Sequence, residues 1–179
     1  MTLTAALTLY STMIVLALLP GPGVMVVVAR ALDSGFRQGL ATAMGILSGD
    51  FIFIALAILG LAALAEVMGS FFVIIKYAGA AYLIYLGYQL ITSGTSSSAS
   101  QALKPANYST NYLVGLATSV SNPKVTLFYL SFFPAFLDLE NISMVDIGLL
   151  FLIATFSVGL VMAGYAYVAA KTKSSFAAS

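Results

Sequence analysis

The chain has 179 residues, of which 61% are hydrophobic and 7% charged, and its seven basic and six acidic side chains leave a net charge of +1. Soluble domains carry about a quarter charged residues, so this composition excludes a soluble globular domain and points to a single membrane domain over residues 1–179. Cysteine and histidine are absent, which excludes disulfides, thiolate and imidazole chemistry and most metal ligation; no cofactor or metal is expected, and there is no basic-aromatic stripe for nucleic acid.

The N-terminal "MTLTAALTLY" has no basic region, and the apolar run after it is too long for a signal-peptide core. It reads as a first span. A helix needs about 20 apolar residues to cross a bilayer. Five segments qualify: Leu3–Ala29, Leu40–Ala65, Phe71–Ile91, Tyr112–Leu137 and Ile147–Ala170. Only helices or closed barrels satisfy their backbone in lipid, and these runs are too long and evenly apolar for barrel strands. The expected fold is an all-α polytopic membrane protein with five transmembrane helices.

The first span is interrupted by Pro20, Gly21, Pro22 and Gly23, and the fourth by Asn122 and Pro123. Proline is favoured at the first position of a helix, and asparagine or glycine at the cap before it. Gly21-Pro22 and Asn122-Pro123 therefore each predict the start of a new half-helix. Both starts would present free N–H groups and a positive dipole end near the membrane centre, suited to a carboxylate. Proline kinks serving only packing are the alternative.

Two charges sit at similar depth. Asp50 is inside the second span, and Lys124 directly follows the second break. Each costs about 2.5–3.5 kcal/mol at a helix centre, and such residues face a bundle interior or cavity. They are candidate substrate-binding residues, or else a buried ion pair that fixes packing. Gly45 and Gly49 form a small-xxx-small face for close helix packing. Tyr82, Tyr85 and Gln89 share one face of the third span and are candidates to line a polar cavity or the interface.

The connections carry most of the charge. The first holds Arg30, Asp33 and Arg37, and the second Glu66. The third, residues 92–110, is a Ser-rich linker with Lys104; the fourth holds Asp138, Glu140 and Asp146; the tail holds Lys171 and Lys173. The first and third connections and the tail thus carry five of the seven basic residues. The positive-inside rule puts them in the cytoplasm and the N-terminus outside. Lys76, one turn into the third span, can snorkel to the outer surface.

A shift of the sequence by 101 residues places Gly21-Pro22 on Asn122-Pro123 and the second span near the fifth. Three spans per unit is odd, so the units (repeat one, residues 3–91; partial repeat two, 111–170) would have opposite orientation. Broken helices at matching positions of inverted repeats mark transporter binding sites. The partner of the third span would fall at residues 172–192, so a 3+3 bundle lacks its last helix here, and the apolar face of Ile147–Ala170 would meet lipid or a second copy of the chain.

"LLPGPGVMVVVARALDSGFRQGLATAMGILSGD", "KYAGAAYLIYLGYQLI" and "SNPKVTLFYLSFFPAF" resemble, in this order, three motifs of the LysE/RhtB amino-acid exporter superfamily, and the resemblance covers nearly the whole chain. It implies a translocator of the bacterial inner membrane that exports small amino-acid-like solutes, driven by the proton gradient. The matching positions are Pro20, Gly21, Pro22, Gly23, Gly45, Gly49, Asp50, Asn122, Pro123 and Lys124. Members of that family usually have a sixth span beyond the position of Ser179.

The function expected is a secondary transporter exporting an amino acid or related zwitterion. The substrate carboxylate would meet the half-helix N-termini and Lys124, its ammonium would meet Asp50, and a proton on Asp50 would release it. The alternatives are export of another solute such as a cation, or a truncated membrane protein that does not transport. An enzyme is not expected: Asp50 is the one acid within a span, which leaves only a Ser–Lys pair on Lys124.

Overall fold

The computed structural model describes residues 1–59, 107–136 and 142–177, with residues 77, 81 and 84 between them. Apart from those three residues the third span, with Tyr82, Tyr85 and Gln89, lies outside the described residues, as do Glu66, Lys76, Lys104, Asp138 and Glu140. Most of the described residues are helical. They form α1 (Leu3–Leu18), α2 (Pro22–Ser34), α3 (Phe36–Leu59), α4 (Tyr108–Val120), α5 (Pro123–Leu127), α6 (Met144–Ala154) and α7 (Leu160–Ala177). A π-helical turn (Phe128–Phe132) and a 3₁₀ turn (Phe133–Phe136) continue α5, and a second π turn (Thr155–Gly159) joins α6 to α7.

Among the described residues, Phe36–Leu59 and Met144–Thr172 are long and apolar enough to cross a membrane, and α1 with α2 makes a third candidate bent by 58° at the break. α4 has 13 residues. That is about 20 Å of helix, short of the ~30 Å hydrocarbon core, so it crosses only together with its continuation through α5.

Local chemistry sets the ends. The Thr2 side chain caps α1 at the N–H of Ala5. Asn107 caps α4 at the N–H of Thr110, so α4 starts inside the stretch expected to be linker. Ser143 and Asp146 form a reciprocal capping box, which starts α6 ahead of the expected Ile147.

The first connection differs most from expectation. It is a single residue, Gly35, whose φ of +88° is the left-handed conformation that glycine tolerates. Arg30 and Asp33 therefore belong to α2, Arg37 belongs to α3, and Arg30 is 7% exposed. The hydrophilic letters suggested a loop, but a helix facing a protein interior accommodates a charge that a lipid-facing one does not.

The direction of each helix follows from its contacts. A Cβ on Gly39 would meet Ala31, and one on Gly23 would meet Ile46, so α2 and α3 are antiparallel. Asn111 donates to Gln38, a Cβ on Gly115 would meet Thr42, and one on Gly49 would meet Ser119, so α3 and α4 run parallel. The broken pair α1–α2 and the broken pair α4–α5 thus run in opposite directions. The turn at Gly35 lies beside α7, where Phe36 and Tyr167 meet edge to face at 6.1 Å. The start of α1 lies beside the start of α6, where Asp146 is 2.5 Å from the amino terminus.

The core combines Leu9 and Met13 of α1, Val27 of α2, Ile54 of α3, Phe133, and Leu150 of α6. Large apolar side chains such as Leu56, Leu59, Leu113, Leu152, Phe156 and Leu160 stay exposed, the outward face expected against lipid. Because lipid is as apolar as the core, close van der Waals packing and internal polar contacts hold such helices together. The tightest crossing is α3 on α4. A Cβ at Gly45 would lie 1.9 Å from the carbonyl O of Tyr112, and one at Gly115 would lie 2.0 Å from the carbonyl O of Thr42. Neither backbone oxygen can rotate away. Gly45→Ala and Gly115→Ala should each lower stability in detergent by about 2–3 kcal/mol, as overpacking does. Gly148→Ala, where nothing lies within 4 Å, is the control; equal melting temperatures in all three variants would show that this crossing is loose.

Candidate functional site

A break within the membrane leaves backbone groups without partners, and lipid cannot supply them. Carbonyls are the orphans at the end of α1. Lys124 Nζ donates to the carbonyls of Leu16 and Leu19, both at 3.0 Å, and the Tyr165 hydroxyl donates to that of Leu18 at 2.9 Å. A cation also complements the negative dipole end of a helix. Lys124 therefore closes the first break from the other broken pair, across 105 and 108 residues of sequence.

The two new helix starts differ. Gly21 has no side chain to cap α2, so the N–H groups of its first turn have no side-chain partner. At α5, the Asn122 Oδ1 accepts the backbone N–H of Lys124 at 3.1 Å. Both starts were expected to present free N–H groups, and they differ in degree: the Asn122 side chain takes up one N–H of α5, whereas α2 has no side-chain cap.

Asp50 is 3% exposed and is the one buried acid among the described residues. Its Oδ1 accepts a hydrogen bond from the Ser119 hydroxyl at 3.1 Å. Gly49 makes that bond possible, because a Cβ there would lie 2.6 Å from the Ser119 Cβ. Asp50 and Lys124 are not within ion-pair distance of each other. A directly bonded Asp50–Lys124 pair, the packing alternative drawn from the sequence, is absent.

Both charges instead line one cavity of about 60 Å³, with Ser119, Asn122 and Gly23. Tyr129 also lines it, and the remaining wall is apolar and includes Met13, Leu16, Ile46, Phe128, Val158 and Met162. Gly21 sits against Lys124, with a Cβ position 3.3 Å from Nζ. Pro20, Pro22 and Pro123 are exposed and do not line the cavity; they shape the breaks. Phe128 and Tyr129 come from one π turn and Val158 from the other, and π turns are frequent at functional sites.

Sequence reasoning missed Ser119, Tyr129 and Gly115. A serine or tyrosine in an apolar run carries no periodic signal, and Gly115 acquires meaning only opposite Thr42. Tyr129 is 2% exposed, and its hydroxyl has no hydrogen-bond partner. An unmet buried polar group costs about 1–3 kcal/mol.

An all-helical membrane bundle, in which two oppositely directed broken helices meet at an acid and a base, has the architecture of a secondary transporter. The chain belongs to the LysE type translocator family, whose family model matches residues 14–179. This is a family of transporters, not enzymes. Among curated relatives, an "uncharacterized membrane protein" of Synechocystis sp. is 38% identical over 91% of this chain and 79% of its own length. A leucine efflux protein of Enterobacter sp. is 34% identical over 82% of this chain and 68% of its own length. One of Salmonella typhimurium is 34% identical over 70% of this chain, and the match spans 59% of that relative. No solved structure matches.

Proposed function

We propose that this chain exports an amino acid with an uncharged aliphatic side chain across the bacterial inner membrane, in exchange for protons. The observation that carries this reading is that Asp50 and Lys124 line one apolar cavity without bonding to each other. An ammonium has three N–H donors. Two of those on Lys124 go to α1 carbonyls, which leaves one for a substrate carboxylate beside the uncapped start of α2. The substrate ammonium pairs with Asp50, and its side chain lies among Met13, Ile46 and Val158. Relatives named leucine efflux protein support an aliphatic substrate.

The cavity, about 60 Å³, lies between the two broken pairs, lined by Leu16 and Val24 of one and Ser119 and Val125 of the other. Substrate therefore enters when the two broken pairs move apart, as in alternating access. A proton taken by Asp50 from outside cancels its charge and frees the ammonium; return of the proton to the cytoplasm resets the site. The test is efflux of radiolabelled leucine from proteoliposomes carrying the purified chain, with and without a pH gradient. Absence of leucine movement would refute the transport reading, and movement indifferent to the gradient would refute proton exchange.

The N-terminus is outside and the tail cytoplasmic. Exposed Arg37 and Lys171 share the end of the bundle where the Gly35 turn meets α7, and the positive-inside rule assigns that end to the cytoplasm. The sequence has no cysteine of its own. Cysteine introduced at Met144 should react with an impermeant thiol reagent on intact cells, and cysteine at Ser34 should not. The reverse pattern would invert the orientation.

A further inference from the structure

We propose that the Tyr129 hydroxyl is a substrate-binding group, which accepts a hydrogen bond from the substrate ammonium beside Asp50. This rests on the amino-acid reading of the cavity. Tyr129 lines that cavity, and its hydroxyl is buried without a partner. Other buried hydroxyls have partners: Ser119 donates to Asp50 at 3.1 Å, Ser157 to the carbonyl of Ile153 at 2.6 Å, and Thr42 to that of Gln38 at 3.1 Å. Tyrosine is too long to reach its own helix backbone in this way, so its partner must come from elsewhere.

The ring has little freedom to seek one. It stacks on Phe53 with centroids 5.7 Å apart and planes 4° apart, and meets Phe128 edge to face at 5.1 Å. Phe53 follows Asp50 by three residues on α3, so both project from one face of that helix. The stacking therefore holds the phenol along the face that carries the carboxylate. A phenol oxygen can accept a hydrogen bond while its own O–H donates. An ammonium brought to Asp50 has two further N–H groups to place, in a wall that is otherwise apolar on the Phe128 side.

The variant Tyr129→Phe keeps the stacked ring and removes only the oxygen. Purified full-length chain in liposomes is assayed for leucine exchange, for competition by 4-methylpentanoate (the same carboxylate and side chain without the ammonium) and for melting temperature. The expected result is an unchanged or higher melting temperature, a leucine KM raised about 10- to 100-fold, as for loss of a hydrogen bond to a charged group, and unchanged competition by 4-methylpentanoate. Wild type that moves no leucine overturns the transport reading and this assignment with it. Wild type that moves leucine, with an unaltered KM in the variant, overturns this assignment alone. A lowered melting temperature shows a structural partner for the hydroxyl, and an equal loss for both ligands places the hydroxyl at the carboxylate; either outcome also overturns it.

Discussion

Asp50→Asn should fold normally and cease to export leucine in response to a pH gradient. The substitution keeps the shape of the side chain and an oxygen to accept from Ser119, which stands at 3.1 Å. It removes a buried charge, so stability should hold or rise. What it loses is the counter-charge for the ammonium and the ability to take a proton. Removing one member of a buried, hydrogen-bonded charge pair costs about 2–5 kcal/mol. Leucine exchange should therefore fall on the order of 100-fold, and its response to the pH gradient should vanish. The measurement pairs melting temperature with efflux in liposomes at matched and unmatched pH. A variant that still concentrates leucine against the gradient would remove Asp50 from the proton path.

Lys124→Met should fail differently, because the lysine closes a helix as well as facing the cavity. Methionine keeps the length of the stem and abandons the carbonyls of Leu16 and Leu19, both at 3.0 Å from Nζ. Two charge-assisted hydrogen bonds are lost and the acceptors stay inside the bundle, so stability should drop by about 3–5 kcal/mol. Tyr165→Phe, which releases only the carbonyl of Leu18, should cost about 1 kcal/mol. The double variant Asp50→Asn with Lys124→Met tests the relation between the charges. The two bond to different partners but line one cavity, so their stability effects should couple by about 0.5–3 kcal/mol rather than simply add. A double variant that recovers the melting temperature of the wild type would show that the two charges form a pair in the membrane. Lys124 that served solely as a helix cap would leave leucine affinity unchanged once the variant is refolded.

The local chemistry of single residues was legible without coordinates. Proline breaks a helix interior but suits a helix's first position, so Gly21-Pro22 and Asn122-Pro123 marked both breaks, and the start of each half-helix follows from them. The bilayer's cost for charge marked Asp50 and Lys124 in the same way. Run length sufficed for the helical, polytopic class.

Tertiary structure decided what each of these residues touches. Whether Lys124 would meet Asp50 or the end of α1 depends on a contact across more than 100 residues, and no local pattern encodes it. Asn122 capping its own helix, and Gly21 leaving α2 uncapped, made two apparently similar N-termini differ. Ser119 became a partner of Asp50 because Gly49 lets α4 approach, and Gly115 mattered because it meets Thr42. Arg30 looked like a loop residue until the one-residue turn at Gly35 placed it on a buried helical face. Composition and proline chemistry act within a turn of helix, so the sequence by itself determined the all-helical membrane class, the two breaks and the two charges beside them. Hydrogen-bond partners and close approaches arise between helices, so only the packed bundle decided how those charges are held and which hydroxyls join them.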